Sequence, residues 1–331
     1  MQVCEWCLTT KSIPLPQPKN IVMEKQLKWY KRVALELAWG TSLVIGVMPR
    51  FVHYYIIQPF VALLLVATRY RRRVILGNLT EAFPEKSRGE VRAIMRRNYW
   101  ILAEVMVDTI ALAGAGERRL RKIMRWENGD RLLQRTAGGD WIAIAAHYGC
   151  WEYFPLWSFE QPDAVFMSVY HPLRSDIFEC YYRRLRRFTP SIEQVPMKSA
   201  VRRYMLNRAT GRSVVIGLVA DQSPNLRIDS HWYEFFGRPT AFHDGAERLA
   251  LKFNIPIFFT YIERIKAGRY SLRFVELYDG HEAVEPHQIT ERYARALEQM
   301  IRRRPELWMW SHNRWRHTPQ SQLSRFGSTT L

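Results

Sequence analysis

The stretch "IAIAAHYGCWEYF" (142–154) sets a histidine directly behind a short apolar run, with a glycine two places on and a glutamate five places on. If the run is a strand ending at His147 and the chain turns at Gly149 into a helix, Glu152 falls in the first helical turn and leans back toward the imidazole. A carboxylate that accepts the proton on one ring nitrogen fixes the tautomer and leaves the other nitrogen as a base. It also stabilises the imidazolium formed when that base takes a proton. Imidazole suits this work because its ordinary pKa, about 6.5, lies near neutral pH. The hydroxyl to be deprotonated has to belong to a substrate, since the chain holds no G-x-S-x-G elbow to present a serine of its own. Cys150 offers a rival chemistry, thiolate attack on an acyl group assisted by His147. Against it, such pairs usually come from distant segments.

The elements that must hold these groups follow from the pattern of apolar runs. "WIAIAA" (141–146), "AVFMSVY" (164–170), "SVVIGLVA" (213–220), "IPIFFTYI" (255–262) and "YSLRFVEL" (270–277) read as strands, several of them apolar on both faces. Helical stretches at 173–188, 199–209 and 245–254 separate most of them. This alternation predicts an α/β fold with a mostly parallel central sheet flanked by helices. His147, Tyr170-His171 and Asp221-Gln222 then all fall at carboxyl ends of strands, outside which open α/β sheets bind ligands.

Upstream, Ser87 with Glu90 three places later forms a capping box that opens a helix to about Ala113. Residues 37–67 are the least charged of the chain, interrupted at Pro49 and Pro59 into pieces shorter than the roughly 20 residues a spanning helix needs. They read as a membrane-dipping or membrane-lying helical hairpin, with "RYRRR" (69–73) placed to meet phosphate headgroups. The expected organisation is an unstructured extension over 1–22, a membrane-associating helical segment over 23–73 and a catalytic domain over 74–331.

With 49 Lys+Arg against 31 Asp+Glu the chain carries a formal +18, so its partners should be anionic. A nucleic-acid-binding protein would gather that charge into one stripe beside exposed aromatics, and it would leave 37–67 unexplained. Cysteines at 4, 7, 150 and 180 make no disulfide framework, and "CEWC" lacks the second pair of a zinc knuckle. His171, His231, His243, His281 and His287 have no metal-ligand spacing, so no metal is expected.

The order of several motifs resembles the late acyltransferases of lipid A biosynthesis, within the glycerolipid and lysophospholipid acyltransferase superfamily. "HYGCWE" is similar to that family's H-x4-D/E signature, and "VILGNLTEAFPEKSRGEVRAIMRRNY" to its N-L-x-x-x-F-P-E segment. "VADQSP" resembles its D-Q motif, "FFGRPTAF" its F-x-G-x-P-T/A run, and "PELWMWSHNRWRH" its closing W-x-H-x-R-W. The resemblance covers residues 33 to 317. It implies an enzyme at the cytoplasmic face of a bacterial inner membrane that moves a fatty acyl chain from acyl carrier protein to a hydroxyl of a phosphorylated lipid A precursor. Acyl-carrier-protein thioester would be the co-substrate, with no cofactor; inner-membrane lipids would be partners and nucleic acid would not. His147 and Glu152 match the base and its orienting acid, and Asp221 and Gln222 match the D-Q pair. Arg187 is assigned to the arginine that the family uses between these motifs. Arg238 and Thr240 are expected near substrate, and backbone N–H groups at Gly149 near a developing oxyanion. Cys150 stands where the family usually has Asn. Other acceptors, a lysophospholipid, a glycolipid or an aminolipid, remain open.

Overall fold

The computed structural model describes residues 27–187 and 189–327. The 1–22 extension, with Cys4 and Cys7, lies outside the described residues. Four helices lead: α1 (Trp29–Val47), α2 (Arg50–Ala67), α3 (Arg72–Ala82) and α4 (Arg88–Ala111). Strands and helices then alternate: β1 (Met124–Trp126), α5 (Gly129–Thr136), β2 (Trp141–Ala145), β3 (Val165–Tyr170), α6 (Asp176–Leu185) and β4 (Ile192–Pro196). The remainder is α7 (Ala200–Arg208), β5 (Val214–Val219), the hairpin β6 (Trp232–Phe235) and β7 (Arg238–Ala241), α8 (Gly245–Phe253), β8 (Ile257–Lys266), β9 (Arg269–Tyr278) and α9 (Gln288–Arg303).

Seven strands form one sheet in the order β1-β9-β8-β2-β5-β3-β4, parallel throughout except for the β8–β9 hairpin. The mostly parallel sheet agrees with the reading of the sequence. Central strands must be apolar on both faces, and every residue of β2 is buried. The edge strands β1 and β4 are short and half-polar, which is why alternation of apolar runs does not reveal them. "FFGRPTAF" forms the end of a hairpin: Phe236 and Gly237, both at positive φ, close β6 on β7.

The capping box at Ser87 is present in full, with the Ser87 hydroxyl accepting from the Glu90 N–H and the Glu90 carboxylate accepting from the Ser87 N–H. Pro59, expected to interrupt the apolar segment, does not. Residues His53–Ile57 wind as a π turn just before it, and the wider turn takes up the missing proline N–H. α2 therefore runs unbroken for 18 residues, about 27 Å at 1.5 Å per residue, long and apolar enough to cross a membrane by length and composition.

One side of this helical pair is fastened to the body. The Gln58 amide donates to the Trp100 carbonyl, and the Tyr54 hydroxyl donates to Asp108 on α4 at 2.6 Å. α1 crosses the end of α4 where Gly46 meets Gly114, and a Cβ on Gly46 would lie 2.4 Å from the Gly114 Cα. The other side exposes Leu37, Val47, Tyr55 and Leu63, with Tyr55 80% and Leu63 65% accessible.

Candidate active site

β2 and β5 are neighbouring parallel strands in which Ala145 is level with Val219. Two residues further along each strand stand His147 and Asp221, side by side at the carboxyl edge of the sheet. The His147 Nδ1–H donates to Asp221 Oδ1 at 2.7 Å, and Asp221 Oδ2 accepts from the Trp308 indole N–H at 2.7 Å. On the opposite side of the ring the Gln222 amide donates to Nε2 at 3.3 Å. The imidazole thus has its proton on Nδ1 and its lone pair on Nε2, the arrangement of a general base. Burial works to raise the pKa of Asp221. The attraction of the His147 ring when it is protonated, its hydrogen bond and the Trp308 indole outweigh that burial and hold the carboxyl below its usual value, so the acid is ionised.

The acid bonded to the imidazole is therefore Asp221, and not Glu152 as the spacing in the sequence suggests. The chain turns at Gly149, as expected, but it enters a 3-10 helix (Trp151–Phe159), and Glu152 faces away toward Arg186 at the end of α6. Arg186 holds it with two parallel bonds, Nε–Oε2 at 2.7 Å and Nη2–Oε1 at 2.6 Å. Burial pushes the Glu152 carboxyl up in pKa, yet the charge and bonds of Arg186, with His147 nearby, more than offset it and leave it lowered. The arginine at this place is thus Arg186, packed over the Tyr182 ring, and not Arg187, which is exposed. Helical phase does not separate the two arginines: both lie past the end of α6, and Arg187 is four residues from Arg183.

Gly149 has φ +54, and a Cβ there would approach the Tyr270 ring to 2.8 Å. Its N–H donates to the Leu307 carbonyl, so it is not free for an oxyanion. Arg238 pairs with Glu81 and stacks on Trp315, while the Thr240 hydroxyl, fully buried, accepts from the Trp315 indole. Thr240 thereby ties the hairpin to the segment that carries Trp315. Cys150 is buried completely, and burial pushes its thiol pKa well up, against the thiolate that covalent attack would need.

The segment 305–315 forms the floor. The Met309 N–H donates to the His147 carbonyl, and Asn78, from the "GNL" stretch, donates to the carbonyls of Trp310 and His312. His312, pushed down to about 4 by burial, is neutral, and its Nε2 accepts from the Ser223 N–H at 3.0 Å. Arg314, 2% exposed, lies over the Phe242 ring, and burial lowers its pKa to about 10. The Trp151 ring stands 4.9 Å from that of His147 and borders a narrow cleft with Asn98, Ile101, Leu102, Met309 and Ser311. The cleft encloses about 10 Å³, room for one water and far short of an acyl chain.

Residues 24–317 match a family model described as bacterial lipid A biosynthesis acyltransferase. No curated protein matches the chain.

Proposed function

The chain belongs to the bacterial lipid A biosynthesis acyltransferase family, and from that membership we propose that it transfers a fatty acyl chain from an acyl-carrier-protein thioester to a hydroxyl of a phosphorylated lipid A precursor resembling Kdo-lipid IVA. An acyltransferase of lipid A needs a base for a substrate hydroxyl, and the observation that carries the proposal is the His147–Asp221 pair with its Nε2 lone pair directed away from the acid.

In this reading the acceptor hydroxyl displaces the Gln222 amide at Nε2. His147 takes the hydroxyl proton as the oxygen attacks the thioester carbonyl, whose electron pair moves onto oxygen. Collapse of the tetrahedral intermediate expels the carrier thiolate, and the imidazolium returns its proton to that sulfur. Asp221, ionised and bonded to Nδ1, stabilises the imidazolium between the two transfers. Arg186 spends Nε and Nη2 on Glu152, which leaves Nη1 as the donor for the developing oxyanion. Glu152 is then the group that aims the arginine.

The apolar side of α1 and α2 supports work at a membrane surface, at the cytoplasmic face of the inner membrane where carrier-bound acyl groups are made available, and the net positive charge suits an acidic carrier protein and a phosphorylated glycolipid. The test is mass spectrometry of lipid A from cells with and without the protein. Loss of one acyl chain from lipid A is expected; an unchanged lipid A with a missing acylated phospholipid or aminolipid would overturn the acceptor.

A further inference from the structure

We propose that Arg69, on the turn between α2 and α3, and Arg72 and Arg73, in the first turn of α3, form a phosphomonoester site that seats the acceptor beside His147; this rests on the phosphorylated-glycolipid reading above. All three arginines are exposed, and among the described residues none has a carboxylate partner. The acids nearest in sequence are engaged elsewhere: Glu81 with Arg238, Glu85 with Lys86 and Glu90 with the Ser87 cap. A cluster of cations with no counter-charge is repulsive unless an anion joins it, and guanidinium groups match the oxygens of a phosphomonoester in charge and geometry.

The turn is also built to hold a shape. Arg69 and Arg71 have φ of 52° and 46°, left-handed conformations that non-glycine residues adopt only when their surroundings impose them. The Tyr99 hydroxyl from α4 donates to the Tyr70 carbonyl at 2.8 Å, and the Tyr70 N–H donates to the Leu65 carbonyl at 2.9 Å. The Arg71 Nη1 donates to the Ser311 carbonyl at 2.7 Å. Ser311 borders the cleft beside Trp151, two residues from Met309, whose N–H holds the His147 carbonyl. A fluid headgroup layer needs no such fixed link to the reaction centre, whereas a phosphate on the acceptor sets the distance from its anchor to its reacting hydroxyl. Leu63, Leu64 and Val66 lie exposed on the helix just before the turn, an apolar surface for the acyl chains the precursor already carries.

The experiment compares the wild type with Arg72→Ala/Arg73→Ala on two acceptors in detergent, one bearing both phosphates and one enzymatically stripped of a phosphate. The expected result is a KM for the fully phosphorylated acceptor raised about tenfold with kcat within about twofold, and loss of the wild-type preference for it. Arg72→Lys/Arg73→Lys should recover part of that preference. A double alanine variant that keeps the wild-type preference overturns the proposal. So does one that keeps it while losing binding to acceptor-free anionic phospholipid vesicles, which would assign the arginines to the bilayer. A wild type inactive on both acceptors defeats the functional reading instead. The site is then decided by line broadening of inorganic phosphate in phosphorus NMR: broadening by the wild type alone supports it, and equal broadening by the variant refutes it.

Discussion

His147 and Asp221 stand at equivalent places on adjacent strands, each two residues past the level pair Ala145 and Val219, and their side chains meet at 2.7 Å. Sheet register alone brings them together. The indole of Trp308 closes the remaining side of the carboxylate, so the acid has one position and the imidazole one tautomer.

Asp221→Asn keeps the shape and removes the charge facing Nδ1. The expected outcome is a fall in kcat of about 10³ to 10⁴ with little change in KM, measured on purified enzyme. A loss under about tenfold would remove Asp221 from the reaction.

The Glu152–Arg186 pair is buried on the acid side and bidentate. Breaking it from one side, by Glu152→Gln or Arg186→Met, should cost about 3 kcal/mol of stability in urea titrations, with the double variant less affected than the sum. Because the folded carboxyl has a lowered pKa, its contribution is present above the ordinary value of 4.5 and fades as pH falls through the lower folded one. Glu152→Gln should therefore flatten the stability profile on the acid side of pH 4.5.

Cys150→Ala tests the covalent route. The thiol is buried and holds no thiolate, so turnover should survive within about threefold while melting temperature falls by a few degrees from the cavity left behind. Loss of an acyl-enzyme adduct together with all turnover would reverse this.

Asp108, in α4, has one carboxylate oxygen buried without a partner, and burial followed by the nearby Glu104 raises its pKa to about 7. Its neutral form is the one the fold tolerates. Stability linked to it is full below the ordinary value of 3.8 and is lost as pH rises toward about 7. Asp108→Asn should raise the melting temperature at pH 8 more than at pH 5, the difference amounting to at most about 3 kcal/mol in free energy. Equal shifts at both would contradict the assignment.

Much of this arrangement was legible in the sequence, and the rest failed for identifiable reasons. β2 announced itself because both its faces are buried and every position is apolar. His147 and Asp221 were both placed at strand ends. Their partnership was missed because register between strands 74 residues apart leaves no local mark, whereas Glu152, five residues away, looked like the natural neighbour. Arg186 and Arg187 sit just past the end of α6, where helical phase no longer says which of two adjacent arginines turns toward Glu152. Trp308 falls in the closing stretch "PELWMWSHNRWRH", but its indole bond to Asp221 depends on a loop tethered by Asn78 and Asn98, a relation only three dimensions supply.

The meeting of Gly46 with Gly114 leaves no space for a side chain between α1 and the end of α4. Bulk added at either glycine would therefore have to lift the exposed apolar flank of α1 away from the sheet-bearing body, so two residues without side chains set how closely that flank lies against the rest of the molecule.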